Sequence, residues 1–223
     1  MAALMSGVGC AMQPFAPSLA YDRSMTGDID ILAFGDSLVA GYGLARDKGF
    51  APQLEAALRS DGVEANVINA GISGDTVAAG WARLPRTIER LARTPDLAIV
   101  GLGGNDMLRM VPPRVTREGL SAILAELDRR GVTVLIAGML AAPFLSRQYQ
   151  AEFNAIYPEL ARRHGASLYP FFLAGVAGVP RLNLFDRVHP NEKGIARMVE
   201  GILPYVLRAL RDVRTPARSR RRS

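Results

Sequence analysis

The feature that most constrains the fold of this chain is an alternation of short, wholly apolar runs with longer amphipathic stretches. Runs this short and this uniformly apolar are typical of strands that are buried on both faces of a sheet. Strands that alternate with helices form a parallel sheet with helices packed on both sides. The predicted strands are residues 29–34, 63–68, 97–102, 132–137 and 167–169.

The amphipathic stretches have helical spacing, and one stretch shows it clearly. Its apolar residues step by four, three, four and three positions, which places them on one face of a helix. We expect this face to pack against the sheet and to bury its tryptophan in the core. The residues of this face are Val77, Trp81, Leu84, Ile88 and Leu91.

The length of 223 residues allows one domain with a substantial core. We place this domain at residues 28–212, between a leader or possible signal segment at 1–27 and a basic disordered tail at 213–223. The leader is mostly small and apolar, but its first basic residue is Arg23, so the positively charged start of a signal peptide is missing. We interpret the segment as favouring a periplasmic or secreted protein, with a cytoplasmic protein as the alternative.

The net charge of +6 belongs to one end of the chain. Residues 208–223 hold seven arginines and one aspartate, so the preceding residues carry no net charge. Nucleic-acid-binding domains carry a basic face within the fold, so we expect no nucleic-acid partner. No apolar run reaches the roughly 20 residues of a membrane-spanning helix, so we expect no stable membrane insertion. The single cysteine, Cys10, excludes an internal disulfide.

Polar, glycine-rich turns follow the first three predicted strands. They read Gly-Asp-Ser-Leu at 35–38, Asn-Ala-Gly-Ile-Ser-Gly-Asp at 69–75 and Gly-Gly-Asn-Asp at 103–106. In a parallel sheet covered by helices, ligands bind at the carboxyl ends of the strands. We therefore expect these three turns to meet at one edge of the sheet and to form the functional site.

The chain has two histidines, and only one suits a catalytic base. A serine hydroxyl is a weak nucleophile unless a neighbouring base accepts its proton. His164 ends a predicted helix, where a side chain of this type stabilises the terminal carbonyls. His189 is followed by Pro190 and preceded at three residues by Asp186, whose carboxylate can orient one ring nitrogen. These residues favour Ser37 as nucleophile, His189 as base and Asp186 as the orienting group.

Acyl transfer also requires hydrogen-bond donors for a developing oxyanion, each worth roughly 3–4 kcal/mol. The Ser37 N–H, the Gly71 N–H and the side-chain amide of Asn105 are the candidates. Taken alone, Asn105 and Asp106 fit a helix N-cap equally well. The carboxylate of Asp36 is best interpreted as a group that stabilises the turn.

These residues, in this order and each after a strand, resemble the SGNH (or GDSL) hydrolases. The resemblance is strongest to the bacterial thioesterase I, lysophospholipase and arylesterase branch, and it covers residues 29–211. It extends to four shorter stretches that are characteristic of this branch. They are Ala-Gly-Tyr-Gly-Leu at 40–44, Ser-Gly-Asp-Thr at 73–76, Phe-Asn-Ala-Ile-Tyr-Pro at 153–158 and Tyr-Pro-Phe-Phe at 169–172.

The resemblance implies an α/β fold, a three-layer α/β/α flavodoxin-like arrangement with a central parallel five-stranded sheet. It implies a serine esterase that hydrolyses carboxylic esters or thioesters, including aryl esters and lysophospholipids. Ser37 would form the acyl-enzyme, with His189 and Asp186 completing the triad and with Ser37, Gly71 and Asn105 forming the oxyanion hole. Neither cofactor nor metal is expected. An acyltransferase or carbohydrate deacetylase on the same fold is the alternative, and a non-catalytic binding module is disfavoured because every catalytic position is filled.

The sequence departs from its relatives at two places that border the expected site. Arg187 stands where related sequences usually carry glycine, and Ala-Pro-Phe-Leu-Ser at 142–146 replaces a stretch that more often reads Pro-Asn-x-Gly. We expect the second segment to border an acyl groove, with Phe144 as an apolar lip. Met107 and Leu108 are further candidates for substrate binding, since flexible apolar side chains suit an acyl chain.

Overall fold

The computed structural model describes residues 29–214, so the predicted leader, most of the predicted tail and Cys10 lie outside the described residues. The strands are β1 (Ile29–Gly35), β2 (Ala65–Gly71), β3 (Leu97–Gly101), β4 (Thr133–Ala137) and β5 (Ser167–Tyr169). They form one parallel sheet in the order β2-β1-β3-β4-β5. This is the order of the flavodoxin-like doubly wound fold, so the predicted fold class is confirmed.

Helices cover both faces of the sheet. Within residues 29–214, no helix is long and apolar enough to cross a membrane. The helices are α1 (Ser37–Ala40), α2 (Phe50–Ser60), α3 (Val77–Glu89), α4 (Gly104–Leu108), α5 (Pro113–Arg129), α6 (Arg147–His164) and α7 (Glu192–Arg214). On one face α2 packs against α7, and on the other α5 packs against both α3 and α6. The chain thus has the three layers expected of the fold.

The edge strand β2 lies further along the chain than the predicted run at 63–68. It ends at Gly71, and Val67 is its one buried residue, whereas the other residues of the strand are partly or fully exposed. One of its outward-facing amides, the Val67 N–H, donates to Glu55 Oε2 at 3.0 Å. This bond satisfies a backbone donor that could otherwise pair with a strand of another chain. The apolar run ends before the strand does because an edge strand is partly exposed to solvent, so polar residues are tolerated at its exposed positions.

The buried face of α3 differs from the predicted one. Trp81 is 39% exposed, whereas Val77, Gly80, Leu84 and Ile88 are buried. A side chain at residue 80 would come within 2.5 Å of a core leucine, so the absence of a side chain there lets α3 approach the sheet closely. The prediction that Trp81 lies in the core was wrong, because the helix presents a glycine to the sheet at this turn.

Candidate active site

The proposed nucleophile lies in a tight turn directly after β1. Asp36 caps α1 by accepting the Leu38 N–H at 3.0 Å, and Ser37 is the first residue of this short helix. The Ser37 N–H is therefore one of the amides that have no acceptor within the helix. The Ser37 side chain is nearly buried, and its hydroxyl lies at the carboxyl edge of the sheet, where the sequence places the site.

A continuous chain of hydrogen bonds joins Ser37, His189 and Asp186. Ser37 Oγ lies 2.9 Å from His189 Nε2, and His189 Nδ1 lies 2.7 Å from Asp186 Oδ2. The other carboxylate oxygen, Asp186 Oδ1, accepts the N–H groups of Val188 and His189, both at 2.9 Å. The His189 amide and imidazole, with the Val188 amide, lower the pKa of Asp186 to about 2. A carboxylate that stays ionised in this position can orient the imidazole for proton transfer.

Backbone and side-chain bonds hold the loop that carries the histidine. The Leu184 N–H donates to the His189 carbonyl at 2.7 Å, and Asn183 pairs with Pro190 in an isolated bridge. Asn183 is buried, and its side-chain amide donates to two carbonyls of the preceding segment at 2.8 and 2.9 Å. These bonds join the two ends of the loop, so local structure fixes the position of the imidazole.

Arg187 occupies a left-handed backbone conformation, with φ of 59°. Its N–H donates to the Leu184 carbonyl at 2.9 Å, which closes a tight turn just before the histidine. A residue with a Cβ pays a steric cost in this region that glycine avoids. The backbone geometry at this position therefore favours glycine over arginine.

Replacing Arg187 with glycine is therefore expected to stabilise the fold by up to about 1 kcal/mol, since the strain relieved exceeds the added freedom of the unfolded chain. The free energy of unfolding from urea titrations would measure this change. Turnover that depends on Ser37 and His189 should stay within about twofold of wild type, because a surface change away from caps and core is usually small in effect. A destabilised variant would show that the arginine side chain itself holds the loop.

Tyr42 is a site residue that the reasoning from catalytic residue types did not select. Its ring lies against the imidazole of His189, with the ring centroids 4.4 Å apart and the planes tilted by 37°. The tyrosine is half exposed, so it covers the outer face of the base. Tyr42 belongs to the Ala-Gly-Tyr-Gly-Leu stretch at 40–44, which contributed to the resemblance. That stretch does not by itself indicate that the tyrosine ring packs against His189.

The second histidine is far from this arrangement. His164 ends α6 just before β5 begins, so it lies at the amino edge of the sheet, opposite Ser37. Its Nε2 lies 2.9 Å from Ser121 Oγ, and burial is the main cause that lowers its pKa. His164 therefore belongs to the packing between α5 and α6.

The structure places Asn105 beside the nucleophile turn. The N-cap of α4 is Gly103, so Asn105 lies inside the first turn of the helix and is not itself the cap. Its Nδ2 donates to the Asp75 carbonyl at 3.0 Å and to Asp36 Oδ2 at 3.3 Å. The side-chain amide is thus held next to the residue that precedes Ser37.

Gly71 does not have the free amide that the sequence interpretation gave it. Its N–H donates to Asn69 Oδ1 at 3.0 Å, and a Cβ at this position would overlap the backbone of Ala40. The absence of a side chain therefore serves the close approach of β2 to α1. The geometry gives Gly71 a packing role.

Gly74, unlike Gly71, has a backbone N–H that is free among the described residues to bind an oxyanion. It has φ of 87°, and its carbonyl accepts from Arg109 Nη2 at 2.9 Å. Within residues 29–214, no hydrogen bond occupies its N–H. It precedes Asp75, whose carbonyl accepts from the Asn105 side chain, so Gly74 is the neighbour of a residue that holds Asn105.

The three candidates for substrate contact fall into two groups. Met107 is 8% exposed and packs in the core, so its side chain is not available to a substrate. Leu108 and Phe144 are 56% and 81% exposed. The segment of Phe144 follows β4 and therefore lies at the same edge of the sheet as Ser37.

Comparison with known proteins identifies the family. Residues 33–197 match the GDSL-like Lipase/Acylhydrolase family. The chain is 35% identical over 180 residues to an arylesterase of Vibrio mimicus, covering 81% of this chain and 89% of the relative. It is 34% identical over 174 residues to esterase TesA of Pseudomonas aeruginosa, covering 78% and 86%. The solved structure of AlinE4, an SGNH-hydrolase family esterase, is similar with a TM-score of 0.71 and 49% identity, covering 84% of this chain and 99% of that protein. The chain therefore belongs to the GDSL-like lipase/acylhydrolase family.

Proposed function

We propose that Ser37, His189 and Asp186 are the catalytic triad of a carboxylic ester hydrolase. The observation that carries the proposal is the hydrogen-bonded chain from the serine hydroxyl through the imidazole to the carboxylate, with both bonds under 3 Å. Membership of an acylhydrolase family supports the same reaction class. Small carboxylic esters are the substrates that this family and its esterase relatives indicate.

The geometry supports a two-step reaction. Ser37 Oγ attacks the acyl carbon while His189 Nε2 takes its proton, and the same nitrogen then gives the proton to the leaving group. Water, activated by the imidazole, hydrolyses the acyl-enzyme in the second step. Asp186 holds the proton on His189 Nδ1 throughout, so that Nε2 faces the serine as an acceptor.

The oxyanion hole that we propose consists of the Ser37 N–H, the Gly74 N–H and the Asn105 side-chain amide. Gly74 replaces Gly71 in this set because its amide is unoccupied among the described residues, whereas that of Gly71 is bound to Asn69. The Asn105 amide takes part by exchanging the longer of its two hydrogen bonds. Donors of this kind stabilise the charge that develops on the carbonyl oxygen of the tetrahedral intermediate.

The apolar lip at the site favours esters with a hydrocarbon acyl chain. Phe144 is carried by a segment whose carbonyls at Pro143 and Leu145 accept from Gln150 Nε2 at 3.2 and 2.6 Å. The Ala141 N–H of the same segment donates to Asn154 Oδ1 at 2.8 Å. An exposed aromatic ring on a segment held by these hydrogen bonds is suited to contact the acyl chain of an ester where that chain extends away from Ser37.

Hydrolysis of p-nitrophenyl esters from acetate to palmitate tests this function. We expect kcat/KM to rise by up to about fourfold for each methylene that reaches the lip, since burying one CH2 contributes about 0.8 kcal/mol. Phe144→Ala should flatten this rise and leave acetate hydrolysis near wild type. Trp81→Ala is the matched control, since it removes an exposed aromatic ring from α3, and it should keep the wild-type profile. A profile unchanged by Phe144→Ala would contradict the assignment of the lip.

The alternative reactions on this fold give a different outcome in the same assay. An acyltransferase would release p-nitrophenol faster when an acceptor alcohol is added, and the acyl group would appear on the alcohol. A carbohydrate deacetylase would accept acetate alone. Ser37-dependent hydrolysis of longer esters in water, without an acceptor, would establish the hydrolase.

We also propose that the protein is exported to the periplasm or secreted, with residues 1–27 as its leader. The support is the small, apolar composition of that segment. Cell fractionation combined with N-terminal sequencing of the mature protein tests the proposal. An intact N-terminus in the cytoplasmic fraction would contradict it.

A further inference from the structure

The carboxylate of Asp36 contacts both the turn that carries the nucleophile and the side-chain amide of Asn105. Its Oδ1 accepts the Leu38 N–H at 3.0 Å, and its Oδ2 accepts from Asn105 Nδ2 at 3.3 Å. We propose that Asp36 is a positioning residue that fixes the Asn105 amide relative to Ser37 and thereby shapes the oxyanion hole. This inference rests on the function proposed above.

A helix cap alone does not require a carboxylate at this position. Serine, threonine or asparagine caps a helix with one oxygen, and α1 needs only one acceptor for the Leu38 N–H. A carboxylate is costly here because the Asp36 side chain is 3% exposed, and burial raises its pKa to about 6. What the carboxylate adds over a neutral cap is the second oxygen, which meets Asn105.

Both hydrogens of the Asn105 amide are engaged in this arrangement. One hydrogen is donated to the Asp75 carbonyl at 3.0 Å, and the other is donated to Asp36 at 3.3 Å. Asp75 is itself fixed by Arg83, whose Nε donates to its carboxylate at 2.6 Å and whose Nη2 donates to the Gly35 carbonyl at 2.9 Å. The shorter bond to the backbone therefore anchors the amide in a rigid frame.

The longer bond is the one that can be exchanged for an oxyanion. Asp36 keeps the Asn105 amide in place before the substrate arrives, and the hydrogen that it holds is then donated to the tetrahedral intermediate. The Asn105 amide does not have to move when this hydrogen passes from the carboxylate to the oxyanion, and donors held in position before the reaction stabilise the transition state most effectively. Loss of the second Asp36 oxygen should therefore lower kcat and leave substrate binding largely unchanged.

A double-mutant cycle between Asp36 and Asn105 tests this inference. Asp36→Ser retains an oxygen that can cap α1 and removes the one that meets Asn105, so we expect kcat for p-nitrophenyl butyrate to fall about tenfold or more, with KM little changed. In an Asn105→Ala background the same change should lower kcat by less than about twofold, since the two residues act as one unit. Asp36→Asn is the second variant, because one amide oxygen can serve either Leu38 or Asn105 but not both.

Each outcome of the cycle has a definite meaning. If the Asp36 and Asn105 effects multiply, Asp36 acts only on the fold and the inference is wrong. If Asn105→Ala itself keeps wild-type kcat, the oxyanion role of Asn105 is wrong and the role of Asp36 falls with it. Neither result alters the assignment of Ser37, which the activity of Ser37→Ala decides separately.

Asp106→Asn is the matched control for the loss of a buried carboxylate. Asp106 is 2% exposed, and its oxygens accept from the Val77 N–H at 2.8 Å and from Thr116 Oγ1 at 3.5 Å. Its carboxylate bonds to the fold around α3 and α5 and has no bond to the Asn105 amide among the described residues. Any effect of this variant on kcat should therefore multiply with that of Asn105→Ala, in contrast to the Asp36 variants.

The stability of Asp36→Asn tests whether the buried carboxylate is destabilising, as its burial indicates. The titratable groups that face Asp36 are His189, Asp75 and Tyr157. Because its pKa is raised from 3.8 to about 6, the contribution of Asp36 to stability is present at pH values below 3.8 and is lost as the pH rises through about 6. Asparagine stays neutral, so the Tm of the variant relative to wild type should be more favourable at about pH 8 than at about pH 4. This comparison tests the effect of burying the carboxylate, and the double-mutant cycle tests the positioning role.

Discussion

Replacing Ser37 with alanine is expected to lower kcat for p-nitrophenyl esters by about a millionfold, the scale seen when a serine hydrolase loses its nucleophile. Alanine has no hydroxyl, so no acyl-enzyme forms, and only the oxyanion donors and substrate binding remain to accelerate attack by water. Steady-state hydrolysis measures the loss, and failure of a fluorophosphonate probe to label the variant locates the missing nucleophile. Unchanged labelling would show that another residue carries the acyl group.

The two histidines provide the control for this prediction. His189→Ala should reach nearly the same residual rate as Ser37→Ala, and the double variant should be no slower, because the two residues act as a unit. His164→Ala should keep kcat within about twofold, since His164 bonds to Ser121 at the amino edge of the sheet. An inactive His164→Ala protein with an active His189→Ala protein would overturn the proposed triad.

The fold could be predicted because the central strands are buried on both faces. In β1, six of the seven residues are buried, and all five residues of β3 are buried, so uniformly apolar runs mark both strands in the sequence. The edge strand β2 has solvent on one side and mixes asparagines with apolar residues, which is why its predicted bounds were shifted. Periodicity also misplaced Trp81, because Gly80 contributes no hydrophobicity to the pattern although it makes the closest approach to the sheet.

The site could be predicted in part for a similar reason. Ser37, Asp186 and His189 together supply the nucleophile, orienting carboxylate and base of acyl transfer, and topology alone brings the ends of the strands together. Backbone donors have no such signature, since whether the amide of Gly71 or of Gly74 is free depends on φ angles and on the Asn69 side chain. The second contact of Asp36 depends on the distance between two turns that are far apart in the sequence, and no local pattern encodes that distance.

Replacing Asp186 with asparagine is expected to lower kcat by about ten-thousandfold through loss of the correct imidazole tautomer. Asp186 Oδ1 accepts two backbone N–H groups, so the asparagine oxygen is expected to take that position and keep the loop folded. Its NH2 group would then face His189 Nδ1 and donate to it. The remaining ring proton would move to Nε2, which could no longer accept the proton of Ser37.

The ionisation state of Asp186 and a matched control variant both bear on this prediction. The pKa of Asp186 is lowered to about 2, first by the His189 amide and then by the imidazole, so the carboxylate stays ionised above that pH. A fall in wild-type activity at pH values well above 2 therefore does not come from protonation of Asp186. Asp30→Asn is the matched control, because Asp30 pairs with Arg93 at 2.6 Å at the opposite edge of the sheet, and it should leave kcat within about twofold. If Asp186→Asn kept kcat within about tenfold of wild type, with the protein folded, Asp186 would not be the group that orients the base.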